Sequence, residues 1–294
     1  MMKKLLFSLT FMFSMLLVFG CSDNTDITAP TDDSSIVLVQ RPEFIDTRPQ
    51  EVKDSFTMYA SDAVIIESAE KKPPKPPPEP EDDPNPNPPH KYAYIVGISD
   101  YDGTANDLQY ADDDAREISS YLRSQGFTIQ SDMDRSATAD NIADGLQWLS
   151  TVAGPDDEIA FFYSGHGDKI SVGSSIISTD LYYISHGYIM NYINATASSK
   201  VLVMLDACKI GSFLSDGETG SVVATASNNT YSYDAPTLQN GAWTYYWLEA
   251  ANGSYDYAED CAEQAKIGMK AWAKPYHVRV SPGYTDKYTG SFDM

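Results

Sequence analysis

Cysteine and basic residues are scarce in this 294-residue chain. Its three cysteines, Cys21, Cys208 and Cys261, are too few for a fold held together by several disulfide bonds. Its 20 lysine and arginine residues stand against 42 aspartate and glutamate residues, which gives a net charge of −22. A surface with that charge repels a phosphate backbone, so we expect no nucleic-acid partner. Cationic ligands remain compatible with it, and solubility alone also explains it.

Long apolar runs are scarce as well, and the clearest is Leu5–Phe19. Two lysines precede this run and Gly20-Cys21 follows it, which is typical of a secretory signal; the run is shorter than the roughly 20 residues of a membrane span. The sequence Val18-Phe19-Gly20-Cys21 resembles a bacterial lipobox. We therefore predict a signal peptide over residues 1–20 and a lipid on Cys21. The alternative is an uncleaved N-terminal anchor.

The predicted address is the bacterial cell envelope. By the same resemblance, Ser22 after the lipidated cysteine favours the outer membrane over the inner membrane.

Residues 21–90 are predicted to be a largely disordered, Pro- and Asp-rich spacer. Consecutive prolines favour an extended chain that cannot join a sheet. A site for a Pro-recognising partner is the alternative. Within the spacer, Ser35–Gln40 is apolar enough to form an extra edge strand. Four of the six basic residues between Ser22 and His90 precede proline: Arg41, Arg48, Lys72 and Lys75. This placement either protects the spacer from peptidases or arises by chance in a Pro-rich segment.

Residues 91–294 have the pattern of one α/β domain. Continuous apolar segments predict buried strands, and segments of helical periodicity lie between them. The predicted strands are 92–98, 127–130, 158–163, 200–205 and 221–226, and the predicted helices are 111–125, 139–152, 241–251 and 257–273. Apolar strands that alternate with amphipathic helices indicate a mostly parallel sheet covered on both faces.

Two strand ends carry chemically useful residues. One strand runs into Ser164-Gly165-His166-Gly167, and another runs into Asp206-Ala207-Cys208. Because the carboxyl ends of parallel strands share one edge of a sheet, His166 and Cys208 are expected to meet. A thiol beside an imidazole is the minimal pair for nucleophilic acyl transfer. A structural disulfide between Cys208 and Cys261 is the alternative for both cysteines.

These motifs resemble those of the caspase-like cysteine peptidases, specifically the bacterial metacaspase relatives. The resemblance implies a three-layer caspase-like α/β sandwich with a central, mostly parallel six-stranded sheet. It further implies a cysteine endopeptidase in which His166 is the general base and acid and Cys208 the nucleophile. The N–H groups of Gly167 and Cys208 would form the oxyanion hole.

The resemblance also implies an acidic pocket that accepts Arg or Lys before the scissile bond. Asp114, Ser164 and Asp206 occupy the matching positions, so protein or peptide substrates with basic residues are the expected partners. A carboxylate pair suits a guanidinium. Asp112–Asp114 also suit a helix N-terminus, a role we assign to Asp112.

Departures from the family pattern concern calcium and the residue after the nucleophile. Asp180 matches one calcium ligand of the metacaspases, but no Asp-Asp pair follows it before the Cys208 strand, so no firm calcium dependence is predicted. Lys209 either lowers the thiol pKa or points to solvent. The competing functional hypotheses are a catalytically silent caspase-like scaffold and a structural lipoprotein whose acidic face binds cationic partners.

Overall fold

A computed structural model describes residues 36–48 and 89–294 of the chain. The predicted signal peptide, Cys21 and residues 49–88 lie outside the described residues. The strands are β1 (Leu38–Gln40), β2 (Lys91–Gly97), β3 (Phe127–Met133), β4 (Glu158–Ser164), β5 (Gly167–Ile170), β6 (Gly173–Ile177), β7 (Tyr182–Ser185), β8 (Lys200–Asp206), β9 (Ser221–Thr225), β10 (Asp234–Ala235), β11 (Asn240–Gly241) and β12 (Gly283–Asp286). The α-helices are α1 (Ala111–Ser124), α2 (Ala139–Val152), α3 (His186–Asn194), α4 (Phe213–Asp216), α5 (Ala242–Ala251) and α6 (Ala258–Ala273), and short 3-10 helices span Thr104–Asn106 and Asp134–Ser136.

Six strands form the central sheet in the order β12-β9-β8-β4-β2-β3. All neighbours are parallel except β12, which pairs antiparallel with β9. The predicted six-stranded, mostly parallel sheet is therefore confirmed. The inner strands are mostly apolar because both faces of the sheet are covered, and every residue of β4 is buried.

Side chains alternate between two helical layers across this sheet. Ala93 and Ile95 point into a core shared with α1, α5 and α6, where Trp243 and Trp247 are fully buried. The Tyr94 ring points the other way, onto α2, where a Cβ at Gly145 would overlap it. Full burial of large apolar side chains contributes about 1.5–3 kcal/mol each, so both faces stabilise the sheet.

Helix ends match their sequence signals. α1 is followed by Gly126 at φ +89°, a left-handed conformation that glycine adopts without a Cβ penalty. α2 begins after Thr138, whose side-chain oxygen accepts a hydrogen bond from the Asn141 N–H at 3.3 Å. Within the two described ranges, no helix combines the length and hydropathy needed to cross a membrane.

A second, four-stranded sheet has the order β1-β7-β6-β5, and all its pairs are antiparallel. The sequence did not predict β5, β6 and β7. It predicted an edge strand at 35–40, which is confirmed by β1. The sequence assigned residues 36–48 to the spacer, but they pack on the domain and bury Phe44. The physical reason is that the edge of β7 offers unpaired backbone groups that an extended segment can satisfy.

Candidate active site

The two strand ends that the sequence singled out lie side by side and in register. Ser164, the last residue of β4, pairs with Asp206, the last residue of the parallel neighbour β8. His166 and Cys208 each follow two positions beyond that pair, and both line one cavity. The topology thus brings together an imidazole and a thiol that are far apart in the chain.

The Cys208 thiol is buried and hydrogen-bonded to backbone. Its Sγ accepts the Ser232 N–H at 3.3 Å and lies 3.7 Å from the Ser232 carbonyl oxygen, to which the S–H donates. Burial raises the pKa of Cys208 to about 11, although the positive charge of Arg48 acts in the opposite direction. Cys208 and Cys261 are both free thiols, so the structure does not contain the disulfide that was the alternative to a reactive cysteine.

The His166 ring is fixed by neighbours on several sides. Its Nε2 lies 2.6 Å from the carbonyl oxygen of Asn106, and its ring centroid is 4.7 Å from that of Tyr101. Because a carbonyl only accepts, Nε2 must carry the hydrogen, and in the neutral imidazole Nδ1 then has the lone pair. The Tyr101 hydroxyl accepts the His166 backbone N–H at 2.8 Å. In the neutral ring, Nδ1 is therefore the nitrogen that can take a proton.

Asp114 and Asp206 form a buried carboxyl pair at one end of the cavity. Asp206 accepts hydrogen bonds from the Ser232 hydroxyl and from the N–H and hydroxyl of Thr244. Gly241 separates the pair, since a Cβ there would lie 2.5 Å from Asp206 Oδ2 and 2.6 Å from Asp114 Oδ2. Burial raises the pKa of both carboxyls, and the charge of Asp206 raises the pKa of Asp114 further.

All four oxygens of this pair already accept hydrogen bonds from the protein. Asp114 Oδ2 accepts from the Ser164 hydroxyl at 2.8 Å. Its Oδ1 accepts from the Gly241 N–H at 2.8 Å and the Asn240 amide at 3.1 Å. Ser164 therefore supports the pair rather than acting as an independent contact. The three residues predicted for the basic-residue pocket do lie together along the cavity.

Asp234, a third carboxyl, also lines this cavity, and the sequence did not single it out. Its Oδ2 accepts the Gln109 N–H at 3.0 Å, and its Oδ1 accepts no hydrogen bond from the described residues. Burial raises the pKa of Asp234, and the charge of Arg48 lowers it. No motif marks this residue in the sequence, because β10 has two residues and only folding carries it to the cavity.

Arg48, Asn106 and Ser232 are further site residues that sequence reasoning missed in these roles. Arg48 was noted only because it precedes proline, yet it lines the cavity together with His166 and Cys208. Asn106 lies in a short 3-10 helix and Ser232 in a loop, where no hydrophobic period is available to place them.

Lys209 and Gly167 flank the nucleophile. Lys209 does not point to solvent: its Nζ lies 2.8 Å from Asp168 Oδ1 and 3.1 Å from Thr47 Oγ1. Its charge is among those that lower the pKa of Cys208. Of the two predicted roles of Lys209, the structure therefore favours an effect on the thiol pKa over a side chain that points to solvent. Gly167 begins β5 and packs so closely on the carbonyl oxygen of Cys208 that a Cβ would overlap it. Its place in the oxyanion hole stays a prediction.

Asp180, the residue that matches a calcium ligand of the metacaspases, lies at the start of α2. Its Oδ1 accepts the Ala139 N–H at 3.0 Å and the Ser178 hydroxyl at 2.6 Å, so it caps the first turn of α2. Across residues 36–48 and 89–294, no three His, Cys, Asp or Glu side chains converge in a way that could hold a metal ion.

Residues 90–271, more than half of the chain, match the family model described as the caspase domain. The chain belongs to the caspase domain family. This caspase domain holds both the His166 motif and the Cys208 motif within the matched range. Membership places the chain in a family of cysteine peptidases.

Curated relatives of this caspase domain include fungal proteins named metacaspase-1. The one from Lodderomyces elongisporus is 38% identical over 88 residues, which are 27% of this chain and 19% of the relative. The one from Candida albicans is 28% identical over 152 residues, 42% of this chain and 34% of the relative. The chain thus spans about a third or less of the length of these relatives.

A solved structure supports the fold of this caspase domain. The crystal structure of protein GSU0716 from Geobacter sulfurreducens superposes with a TM-score of 0.55 at 16% sequence identity. The match covers 70% of this chain and 97% of that chain. At this identity the likeness concerns the fold alone.

Proposed function

We propose that this caspase domain is a cysteine endopeptidase that cleaves peptide bonds after arginine or lysine. The observation that carries the proposal is the registered pair of strand ends, which places His166 and Cys208 in one cavity with three carboxyl groups. A thiol, a base and a cation-binding wall are what acyl transfer after a basic residue requires.

The chemistry follows from the tautomer of His166. Its Nδ1 takes the proton of the Cys208 thiol, and the thiolate attacks the carbonyl carbon of the substrate. The carbon–nitrogen bond then breaks, and the leaving amine takes the proton back from His166, which leaves a thioester on Cys208. Water attacks the thioester with His166 as base, which releases the carboxylic acid and restores the thiol. Gly167 and Cys208 N–H groups are proposed to hold the oxyanion.

We propose that the specificity for basic side chains arises from Asp114, Asp206 and Asp234, here called the carboxyl wall. The oxygens of Asp114 and Asp206 are occupied by protein donors, so their contribution to a bound cation is mainly electrostatic. Asp234 has an oxygen that accepts no hydrogen bond from the described residues and is the better partner for a guanidinium. An incoming cation lowers the raised pKa values of these carboxyls and so restores their charge as it binds.

Hydrolysis of matched reporter peptides tests the proposal. The full chain should cleave reporter peptides that end in Arg best, those that end in Lys next, and those that end in Asp not at all. Each peptide is measured with and without calcium. Cys208→Ala should abolish cleavage, and Cys261→Ala serves as the matched thiol control. A thiol-reactive peptide ending in Arg should label Cys208. Absence of labelling and cleavage under all conditions would favour a silent caspase-like scaffold.

We further propose that the domain is anchored to the bacterial cell envelope, at the outer membrane rather than the inner one, through a lipid on Cys21. The lipobox-like Val18-Phe19-Gly20-Cys21 supports this proposal. Expression in a bacterial host with labelled fatty acid should label the wild-type chain and leave Cys21→Ala unlabelled.

A further inference from the structure

Residues 36–48, here called the N-terminal strap, bind along the domain as an added strand. β1 pairs antiparallel with β7, and beyond this pairing the Arg41 N–H donates to the carbonyl oxygen of Leu181 at 2.9 Å. Extended peptides commonly bind to sheet edges through this kind of backbone pairing. The strap is therefore held as a peptide ligand is held.

Asn106 and the His166 ring form the next part of the groove beneath the strap. The side-chain amide of Asn106 donates to the carbonyl oxygen of Phe44 at 3.1 Å, and its oxygen accepts the Asp46 N–H at 3.2 Å. Asn106 therefore binds both a backbone acceptor and a backbone donor of the strap. The Phe44 ring is 7% exposed and packs edge-on against His166, with ring centroids 5.1 Å apart. The strap thus covers the predicted catalytic base.

The strap ends at the cavity with a basic residue. Arg48 lines the cavity, and its guanidinium is hydrogen-bonded to Asp46 of the strap, with Nε 2.9 Å from Oδ2. Burial lowers the pKa of Arg48, but the charges of Asp234 and Asp46 outweigh this effect and raise it. Between these residues, Thr47 Oγ1 accepts a hydrogen bond from Lys209, the residue after the nucleophile. A cation therefore sits where the proposed function places the basic residue of a substrate.

We infer that the groove under the strap is the peptide-binding site of the enzyme. Its ligand class is an extended peptide with an aromatic residue four positions before an arginine. In the intact chain the strap is the ligand, and it competes with substrates for the groove. The identification of the groove as a substrate site rests on the proposed peptidase function. Arg48 is followed by Pro49, whose nitrogen has no hydrogen, and X–Pro bonds resist most peptidases, so the occupant remains uncut.

Alkylation of Cys208 by iodoacetamide in the full chain tests the strap without requiring catalysis. Peptide mapping by mass spectrometry gives the rate at Cys208, with the core thiol Cys261 as internal reference. Phe44→Ala should raise the Cys208 rate by about tenfold or more, because a buried aromatic ring contributes more to docking than that ratio requires. The control is Ile45→Ala. Because Ile45 is 69% exposed, Cys208 in this variant should be alkylated at the wild-type rate.

Arg48→Ala separates displacement of the strap from a charge effect. The Arg48 charge lowers the thiol pKa, so loss of the charge alone would slow alkylation, whereas release of the strap speeds it. We expect the faster rate. A synthetic peptide of residues 36–48 added to the Phe44→Ala chain should slow alkylation again, and the same peptide with alanine for phenylalanine should not.

The two proposals fail in different ways. Wild-type alkylation rates in both variants, or no effect of the added peptide, would overturn the strap as groove ligand, and cleavage of Arg peptides by the wild-type chain would leave the peptidase standing. Fast alkylation of Phe44→Ala that the peptide reverses, without cleavage of any Arg peptide, would support the bound strap and overturn the peptidase.

Discussion

The protonation of Cys208 gives the sharpest prediction about the closed site. Burial raises the pKa of this thiol to about 11, against roughly 8.5 for a free cysteine. At about pH 8 the thiolate fraction is then roughly 200-fold smaller than for a free cysteine. A thiolate of higher pKa is intrinsically more nucleophilic, by roughly tenfold over this interval. The net expectation is alkylation roughly 10–20-fold slower than that of an ordinary thiol, before any steric protection.

The pH profile of iodoacetamide alkylation measures this directly. The rate at Cys208 in the full chain should rise about tenfold per pH unit from about pH 7 to about pH 10, because only the thiolate reacts. The urea-unfolded chain is the control, and both thiols there should titrate near the ordinary value of about 8.5. A plateau that begins near pH 8 in the folded chain would refute the reasoning, since it would mean that the thiol is not desolvated.

Three further predictions concern the cavity wall and the sheet. Asp234→Asn keeps an oxygen that can accept the Gln109 N–H but removes the charge. It should lower kcat/KM for Arg peptides by roughly 10–100-fold, which corresponds to the loss of a charge-assisted hydrogen bond. The control is Asp113→Asn at an exposed site, which should leave kcat/KM unchanged. Gly145→Ala should cost about 1–3 kcal/mol in the free energy of unfolding, measured by urea denaturation, because its Cβ would overlap the Tyr94 ring; a gain would contradict this packing. Asp114→Asn should raise the thermal midpoint at neutral pH, with a difference that vanishes in acid, and a constant difference would exclude titration as its cause.

The sign of the last prediction follows from linkage. Burial and the charge of Asp206 raise the pKa of Asp114 in the folded chain. The folded state then holds the proton more tightly than the unfolded chain, so stability falls as pH rises from the ordinary carboxyl range through the raised value. Asparagine has no such titration and can still accept from the Gly241 N–H and donate to Ser164.

The raised carboxyl pKa values also bear on how the cavity discriminates between substrates. Three carboxylates in one cavity repel each other, and a bound cation relieves this repulsion without requiring that they be protonated. A neutral or acidic side chain gives no such relief, and an acidic one adds to the repulsion. Under the proposed function, we therefore expect this wall to favour arginine and lysine over aspartate before the scissile bond.

The regular elements and the edge of the sheet that carries the chemistry were predictable from the sequence. α2 runs over Ala139–Val152, the range that its periodicity predicts, and β4 and β8 begin at the predicted residues and extend one residue further. Local hydrophobic periods, caps and strand-end motifs depend on neighbours in the chain, so they are readable without the fold.

The rest depended on contacts between distant segments. Asp234 and Asn106 lie in elements of two and three residues, too short to have a period. Residues 41–48 of the strap contain four charged residues and a proline, which is typical of a spacer, and only an unpaired edge at β7 and an acidic cavity give the strap a place to bind.

By itself, then, the sequence determined a mostly parallel α/β sheet and the two residues, His166 and Cys208, that its strand ends would carry to one rim. The tertiary structure alone decided that the strap covers His166 and reaches the cavity, that burial raises the pKa of the Cys208 thiol, and that a third carboxyl faces the cavity. The physical reason is that burial and electrostatic environment are properties of the packed chain, because they depend on which remote groups replace water around an atom.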